Sequence, residues 1–375
     1  MRLPGWLASA LDTVMDRTVL IGYSRLGYLA RRAQWDPADP ASGALRGATA
    51  LVTGANSGLG KAATAGLAEL GARVIMVVRN MEKGQQAASD IRAANPDADL
   101  QLESCDVSSL ESVRGLAARL RDDGRALHVL VHNAGALPAE RAETPDGHEM
   151  TLATHVLGPL LLTELLRPQL RAGSLGGKPG ARVIVISSGG MYTQRLPARD
   201  PECRIGEYKG AAAYARTKRL QVAFTPMLAK RLAGDDISVY SMHPGWANTP
   251  GIVASLPGFS RLLRPVLRTA EQGADTAVWL AATDPAPESG LFWHDRRSRP
   301  DQLLPWTRYS PAELDRVWRY CLDAAGVDQR MTSSISRLLD DDQSGVSVVP
   351  NNRKKAPEAT SVRETDPNTE EEPLQ

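Results

Sequence analysis

Between the β-branched run Thr49–Val52 and a helical stretch that opens at Gly58 lies the octet Thr53-Gly54-Ala55-Asn56-Ser57-Gly58-Leu59-Gly60. Glycines at 54, 58 and 60 permit a tight turn and close backbone approach, and a strand that turns through them into a helix offers unpaired N–H groups to a pyrophosphate. Alone, the octet also suits a phosphate or nucleotide loop of other α/β folds. The downstream pattern narrows the choice. Short β-branched runs at Thr49–Val52, Val74–Val78, Leu100–Leu102, Val129–Val131, Val183–Ile186, Ile237–Tyr240 and around Leu291–Trp293 alternate with helical stretches at Gly58–Leu70, Met81–Ala94, Leu110–Leu120, Gly147–Leu170, Tyr214–Leu232 and Glu271–Ala282. That alternation predicts an α/β fold: a Rossmann-type, doubly wound parallel sheet of about seven strands, with the loops at the strand ends gathered along one ligand-binding edge.

The chain has 375 residues, enough for one large domain with extensions, expected as 1–46, 47–335 and 336–375. In the first, Leu3, Trp6, Leu7, Leu11, Val14 and Met15 recur at helical spacing, while Asp12, Asp16 and Arg17 interrupt any signal-like apolar core. The segment reads as an amphipathic helix that packs on the domain. Its rival is a helix at a membrane surface, because Arg2, Arg17, Arg25, Arg31 and Arg32 outnumber the acidic residues there, so peripheral membrane contact through residues 1–40 is a second expectation. From about Arg337 the chain carries acidic and basic runs and no aromatic residue, a composition expected to stay a disordered polar tail.

Basic and acidic residues nearly cancel, 44 against 43, which leaves no footprint for nucleic acid. The three cysteines, Cys105, Cys203 and Cys321, are widely spaced and form neither a metal pattern nor a disulfide framework. A cytoplasmic protein without a metal is therefore expected, with or without membrane association.

Far downstream stand Tyr214 and Lys218 in the pattern Tyr-x-x-x-Lys. Residues four apart share a helix face, so the ammonium can sit beside the phenol and draw its pKa down from about 10, where it exchanges a proton with a substrate oxygen.

Read together, these elements resemble the short-chain dehydrogenase/reductase superfamily from about Gly47 to Trp293. The octet matches the family's TGxxxGxG turn, which assigns cofactor contacts to Thr53, Gly54, Asn56, Ser57, Gly58, Leu59 and Gly60. Asp106 and Val107 match the adenine-contacting position, and Asn133-Ala134-Gly135 the family's NNAG element. Ser188 matches the catalytic serine, Tyr214 and Lys218 the catalytic pair, and Pro244, Gly245, Trp246 and Thr249 the loop that holds the nicotinamide carboxamide. The long gap between Ser188 and Tyr214 and the blocks around Pro244 and Trp293 are similar to the retinol-dehydrogenase-like branch and to the branch called dehydrogenase/reductase family member 12.

The resemblance implies an oxidoreductase that interconverts a hydrophobic carbonyl and its alcohol: Tyr214 as acid/base, Lys218 on the nicotinamide ribose, Ser188 positioning the substrate oxygen. Arg79 follows the second predicted strand where an acidic residue would select NAD, so NADP(H) is expected ahead of NAD(H). Met191, Tyr192, Trp246 and Phe259 are candidates for an apolar substrate pocket, and a homodimer or homotetramer is the family expectation. One position departs from the pattern, because His155 stands where the family has an asparagine that organises its proton relay. Either it fills the same space, or it adds a pH-sensitive step near pH 6.5. That departure keeps open an alternative, a cofactor-binding sensor or scaffold with little turnover.

Overall fold

The computed structural model describes residues 12, 13, 15, 19–175, 178–248 and 264–327. Leu3, Trp6, Leu7, Leu11 and Val14 of the expected N-terminal helix, Thr249, Phe259 and the polar tail lie outside them.

The strands of the main sheet are β1 (Thr49–Thr53), β2 (Arg73–Val78), β3 (Leu100–Ser104), β4 (Val129–His132), β5 (Ala181–Ile186), β6 (Ile237–Met242), β7 (Phe292–His294) and β8 (Arg297–Arg299). They form one sheet in the order β3-β2-β1-β4-β5-β6-β7-β8, parallel throughout except for the β7–β8 hairpin. The chain winds outward from β1 to β3, then returns to β4 on the other side of β1. This reversal opens a crevice between the carboxyl ends of β1 and β4.

Every residue of β1 is buried. Leu51 joins the core on one face while Ala50 and Val52 join the core on the other, the period of two that a strand covered on both sides requires. Helix α1 (Arg25–Arg32) precedes the sheet, and both covers come from α2 (Gly58–Glu69), α3 (Met81–Ala94), α4 (Leu110–Asp122), the run α5, α6 (Gly210–Leu232), α7 (Ala270–Ala282) and α8 (Pro311–Ala324). In α5 a π-turn, Ala153–Leu157, separates Met150–Leu152 from Gly158–Leu165. Among the described residues no helix is long and apolar enough to cross a membrane.

The eighth strand and α8 exceed the sequence expectation, α6 begins at Gly210 rather than Tyr214, and α5 begins at Met150 rather than Gly147. Strand β8 reads Arg-Ser-Arg and has no apolar pattern; Arg297 and Arg299 instead pair with Asp12. Helix α8 opens on a capping box in which Ser310 and Glu313 each bond the other's backbone N–H, with Pro311 at its first position. Its Trp318 is fully buried and meets Phe224 of α6 edge-on, ring centroids 4.9 Å apart. Trp318→Ala is therefore expected to cost about 3–5 kcal/mol of stability. Urea unfolding measures this, and an unchanged midpoint would mean that α8 is not part of the core.

Candidate active site

The crevice is held together at its base by Thr53, the last residue of β1. Its Oγ1 accepts the backbone N–H groups of Asn133 (3.0 Å) and Ala134 (3.1 Å), and Asn133 Nδ2 donates to Thr53 O (2.8 Å) and Gly54 O (3.2 Å). Here α2 comes so close that a Cβ on Gly60 would lie 2.2 Å from Gly54 O, so only glycine fits. Ser57 does not cap α2 with its side chain, which leaves the N–H groups of the first turn facing the cleft.

A cleft of about 730 Å³ runs from this turn across the sheet edge. Of the catalytic and cofactor-binding candidates from the sequence, all line it except Thr53, Gly60 and His155, which lie behind its wall, and Thr249, outside the described residues. At one end, Arg79 follows β2 with its side chain largely exposed, 3.8 Å from Asp106 Oδ2. Asp106 Oδ1 accepts from the backbone N–H (3.0 Å) and hydroxyl (2.7 Å) of Ser108, which fixes its orientation.

At the other end Ser188, Tyr214 and Lys218 converge from the end of β5 and from α6. Lys218 Nζ sits 5.5 Å from the Tyr214 ring centroid and donates to Ile186 O at 2.7 Å. Helical spacing thus brings the pair together, but their acidities differ from the sequence expectation. Burial pushes the Tyr214 phenol up to about 12, against a hydrogen bond from Ser188 that pulls it down. Burial also brings the Lys218 ammonium down to about 7. The low-dielectric surroundings outweigh the proximity that spacing alone suggested.

His155 lies in the π-turn of α5, and its ring meets Tyr214 edge-on with centroids 5.3 Å apart. Its Nε2 accepts the Ala136 N–H (3.0 Å), so the proton resides on Nδ1, 2.7 Å from Thr217 Oγ1. The Thr217 hydroxyl in turn donates to Tyr214 O (2.9 Å), and the His155 carbonyl accepts from Gln221 Nε2 (2.9 Å). Burial, then the charge of Lys218, hold the imidazole well below its ordinary pKa. Both ring nitrogens are thus bonded, and the surroundings favour the neutral imidazole over one that titrates near pH 6.5.

The expected substrate pocket is also corrected. Met191 and Tyr192 turn inward through the 3-10 turn Gly189–Thr193 and pack with Val222 and Phe292, where the Tyr192 hydroxyl donates to Pro300 O (2.5 Å). Trp246 does line the cleft, and Ala136, Leu137, Met150 and Ala211 are among its apolar lining, with Thr154 and Thr193. One residue missed in the sequence, His243, joins the two loops flanking the reactive end: its Nδ1 accepts from Gly189 N (3.1 Å) and Gly245 N (3.2 Å). Its position directly before Pro244-Gly245 was the available signal.

Residues 48–256 match the family model described as short chain dehydrogenase. Dehydrogenase/reductase SDR family member 12 of Bos taurus is 36% identical over 298 residues, 79% of this chain and 91% of that protein. Retinol dehydrogenase 12 of Homo sapiens is 32% identical over 76% of this chain and 88% of its own length. A solved Pseudomonas aeruginosa RhlG/NADP active-site complex superposes with a TM-score of 0.54 at 29% identity, over 66% of this chain and 94% of that one.

Four buried histidines share a single electrostatic condition. Burial lowers His132 to about 3, His294 to about 4, and His155 and His243 well below 6.5, so all four are neutral in the fold. Between pH 6.5 and 4 the unfolded chain binds the protons that the native state refuses. These four groups therefore cost the native state nothing above pH 6.5 and cost it stability as pH drops below that value. Near-UV circular dichroism is expected to report cooperative unfolding between pH 6 and 4; a stability flat across that range would contradict the neutral assignment.

Proposed function

The chain belongs to the short-chain dehydrogenase/reductase family and is an oxidoreductase of CH–OH or C=O groups, and from that premise we propose that it interconverts a hydrophobic carbonyl and its alcohol with NADP(H), Tyr214 serving as acid/base. The observation that carries this reading is the convergence of Ser188, Tyr214 and Lys218 at one end of a cleft whose other end is a glycine turn opening onto a helix. The residues present fit a dinucleotide: the Gly54–Gly60 contact sets the start of α2 against the turn after β1, and the N–H groups there suit a pyrophosphate.

When bound, the nicotinamide supplies or accepts the hydride. The Tyr214 phenol, protonated at neutral pH, donates its proton to the carbonyl oxygen in reduction and takes it back in oxidation. The Ser188 hydroxyl bonds the same oxygen and fixes its approach. Lys218, brought by burial to about 7, is drawn to its charged form by an anionic dinucleotide and in that form eases proton loss from Tyr214.

Arg79 supports NADP(H), since a cation at the end of β2, with no carboxylate in Val78-Arg79-Asn80, suits a 2′-phosphate. The cleft wall of Ala136, Leu137, Met150 and Ala211 favours an apolar substrate, consistent with a relative named retinol dehydrogenase. A sensor without turnover is the weaker reading, since His155 keeps its place as a neutral, fully bonded ring.

Tyr214→Phe is expected to lower kcat by about 10²–10⁴-fold against hydrophobic aldehydes and ketones, with the affinity for NADPH little changed. Absorbance at the nicotinamide band follows turnover, NADPH fluorescence follows binding, and retained turnover would remove Tyr214 from its role. Arg79→Asp is expected to shift the NADPH/NADH preference by roughly 10–100-fold toward NADH, the worth of a hydrogen bond to a charged group. An unaltered ratio would mean that the phosphate is read elsewhere.

A further inference from the structure

Residues 22–31 belong to none of the cofactor or catalytic motifs, yet they pack behind the loops at the reactive end of the cleft. The Arg268 guanidinium, 1% exposed, donates Nη2 to Gly22 O (2.9 Å) and Nε to Tyr23 O (3.0 Å) and Ser24 O (3.2 Å). On its other side it grips the Asp295 carboxylate, at 2.6 Å and 2.9 Å. Arg31, 4% exposed, closes the circuit by donating to Gly22 O (2.7 Å), Asp295 Oδ2 (2.7 Å) and Asp12 Oδ1 (2.6 Å).

The backbone is laced in parallel with these charges. Trp246 N–H donates to Tyr23 O (2.8 Å), Arg268 N–H to Trp246 O (2.8 Å) and Asn248 N–H to Arg268 O (2.9 Å). The approach is close enough that a Cβ on Gly245, at φ 74°, would stand 2.3 Å from Arg268 Nε. The Tyr23 ring meets His243 edge-on with centroids 4.3 Å apart, and His243 is the residue whose Nδ1 holds both Gly189, beside Ser188, and Gly245. Tyr23 therefore stands directly behind the two loops that frame the reactive end.

We propose that Tyr23 and Arg31 are positioning residues for the nicotinamide half of the cleft: the N-terminal segment 22–31 backs His243 and the 244–248 loop, and Arg31 keys that segment to Asp295. This rests on the proposed NADP(H) chemistry and on the family resemblance, which implies that the loop of Pro244, Gly245 and Trp246 holds the nicotinamide. Arg31, Arg268 and Asp295 are all buried, and a buried ion pair holds its geometry tightly because its partners are not readily replaced by solvent. Asp295 is itself fixed in place, since it and Arg296 form the two-residue β7–β8 turn with φ of 50° and 57°, a left-handed conformation unfavourable to side chains other than Gly, Asn and Asp.

The test compares, in the full-length protein, binding of a reduced dinucleotide with binding of its counterpart that lacks the nicotinamide: NADPH with 2′-phospho-ADP-ribose, and NADH with ADP-ribose. Tyr23→Leu removes the aromatic edge behind His243, and Tyr23→Phe restores it. Arg31→Met unkeys the segment yet leaves Asp295 paired with Arg268 and Asp12 paired with Arg299, so neither carboxylate is stranded. Tyr23→Leu and Arg31→Met are expected to weaken the dinucleotide by roughly tenfold, about 1.4 kcal/mol, while the fragment lacking nicotinamide binds within about twofold of the wild type and Tyr23→Phe binds both as the wild type does. Equal weakening of both ligands, which general damage to the fold would cause, or no weakening of either, would overturn the proposal. Failure of the wild-type protein to bind either dinucleotide would instead remove the functional reading, and this inference with it.

Discussion

The Thr53 hydroxyl is the point from which the site is organised. By accepting two N–H groups from Asn133 and Ala134, it binds the ends of β1 and β4 to each other just before their chains part. Parallel strands at a reversal of winding direction otherwise end in exposed backbone. Here Thr53 Oγ1, Thr53 O and Gly54 O all take partners from Asn133 and Ala134, so the turn after β1 is fixed and α2 can approach to within contact of Gly54. The convergence of Ser188, Tyr214 and Lys218 depends on this junction, because β5, which ends at Ile186 just before Ser188, takes its register from β4.

Much of this was legible in the sequence because parallel strands buried on both faces leave a loud local trace. Runs such as Val74–Val78 and Val183–Ile186 can hardly be anything else, and the octet after β1 carries its glycines where backbone meets backbone. Tyr214 and Lys218 were readable for the same reason, since four residues along a helix fix a shared face. Their burial was not readable. Spacing says that two groups are near, while the surrounding dielectric, which depends on every neighbouring element, decides which way each titrates.

The misses share a cause. Met191 and Tyr192 looked like pocket residues because they follow Ser188, but the tight turn after Ser188 rotates them into the core, and only its geometry tells inside from outside. Strand β8 has no apolar pattern because ion pairs to Asp12 hold it. Arg31, Arg268 and Asp295 carry no local signal at all, since a charged residue reads as a surface residue until its distant partner is known. Helix α8 is different: its Ser310-Pro311 start with Glu313 three residues on was a visible helix-opening signature.

The tie between Arg31 and Asp295 joins residues 264 positions apart, and the same carboxylate is held by Arg268. During synthesis Arg31 leaves the ribosome long before Arg268 and Asp295. Most of the sheet has its sequence available before this contact can form. The loop-closure entropy of so long a separation is met cheaply only once the intervening strands have already brought the ends together. The backing of His243 is therefore a late event in the life of each molecule, and a chain halted before Asp295 holds the glycine turn and the Tyr214–Lys218 helix without the electrostatic clasp behind them.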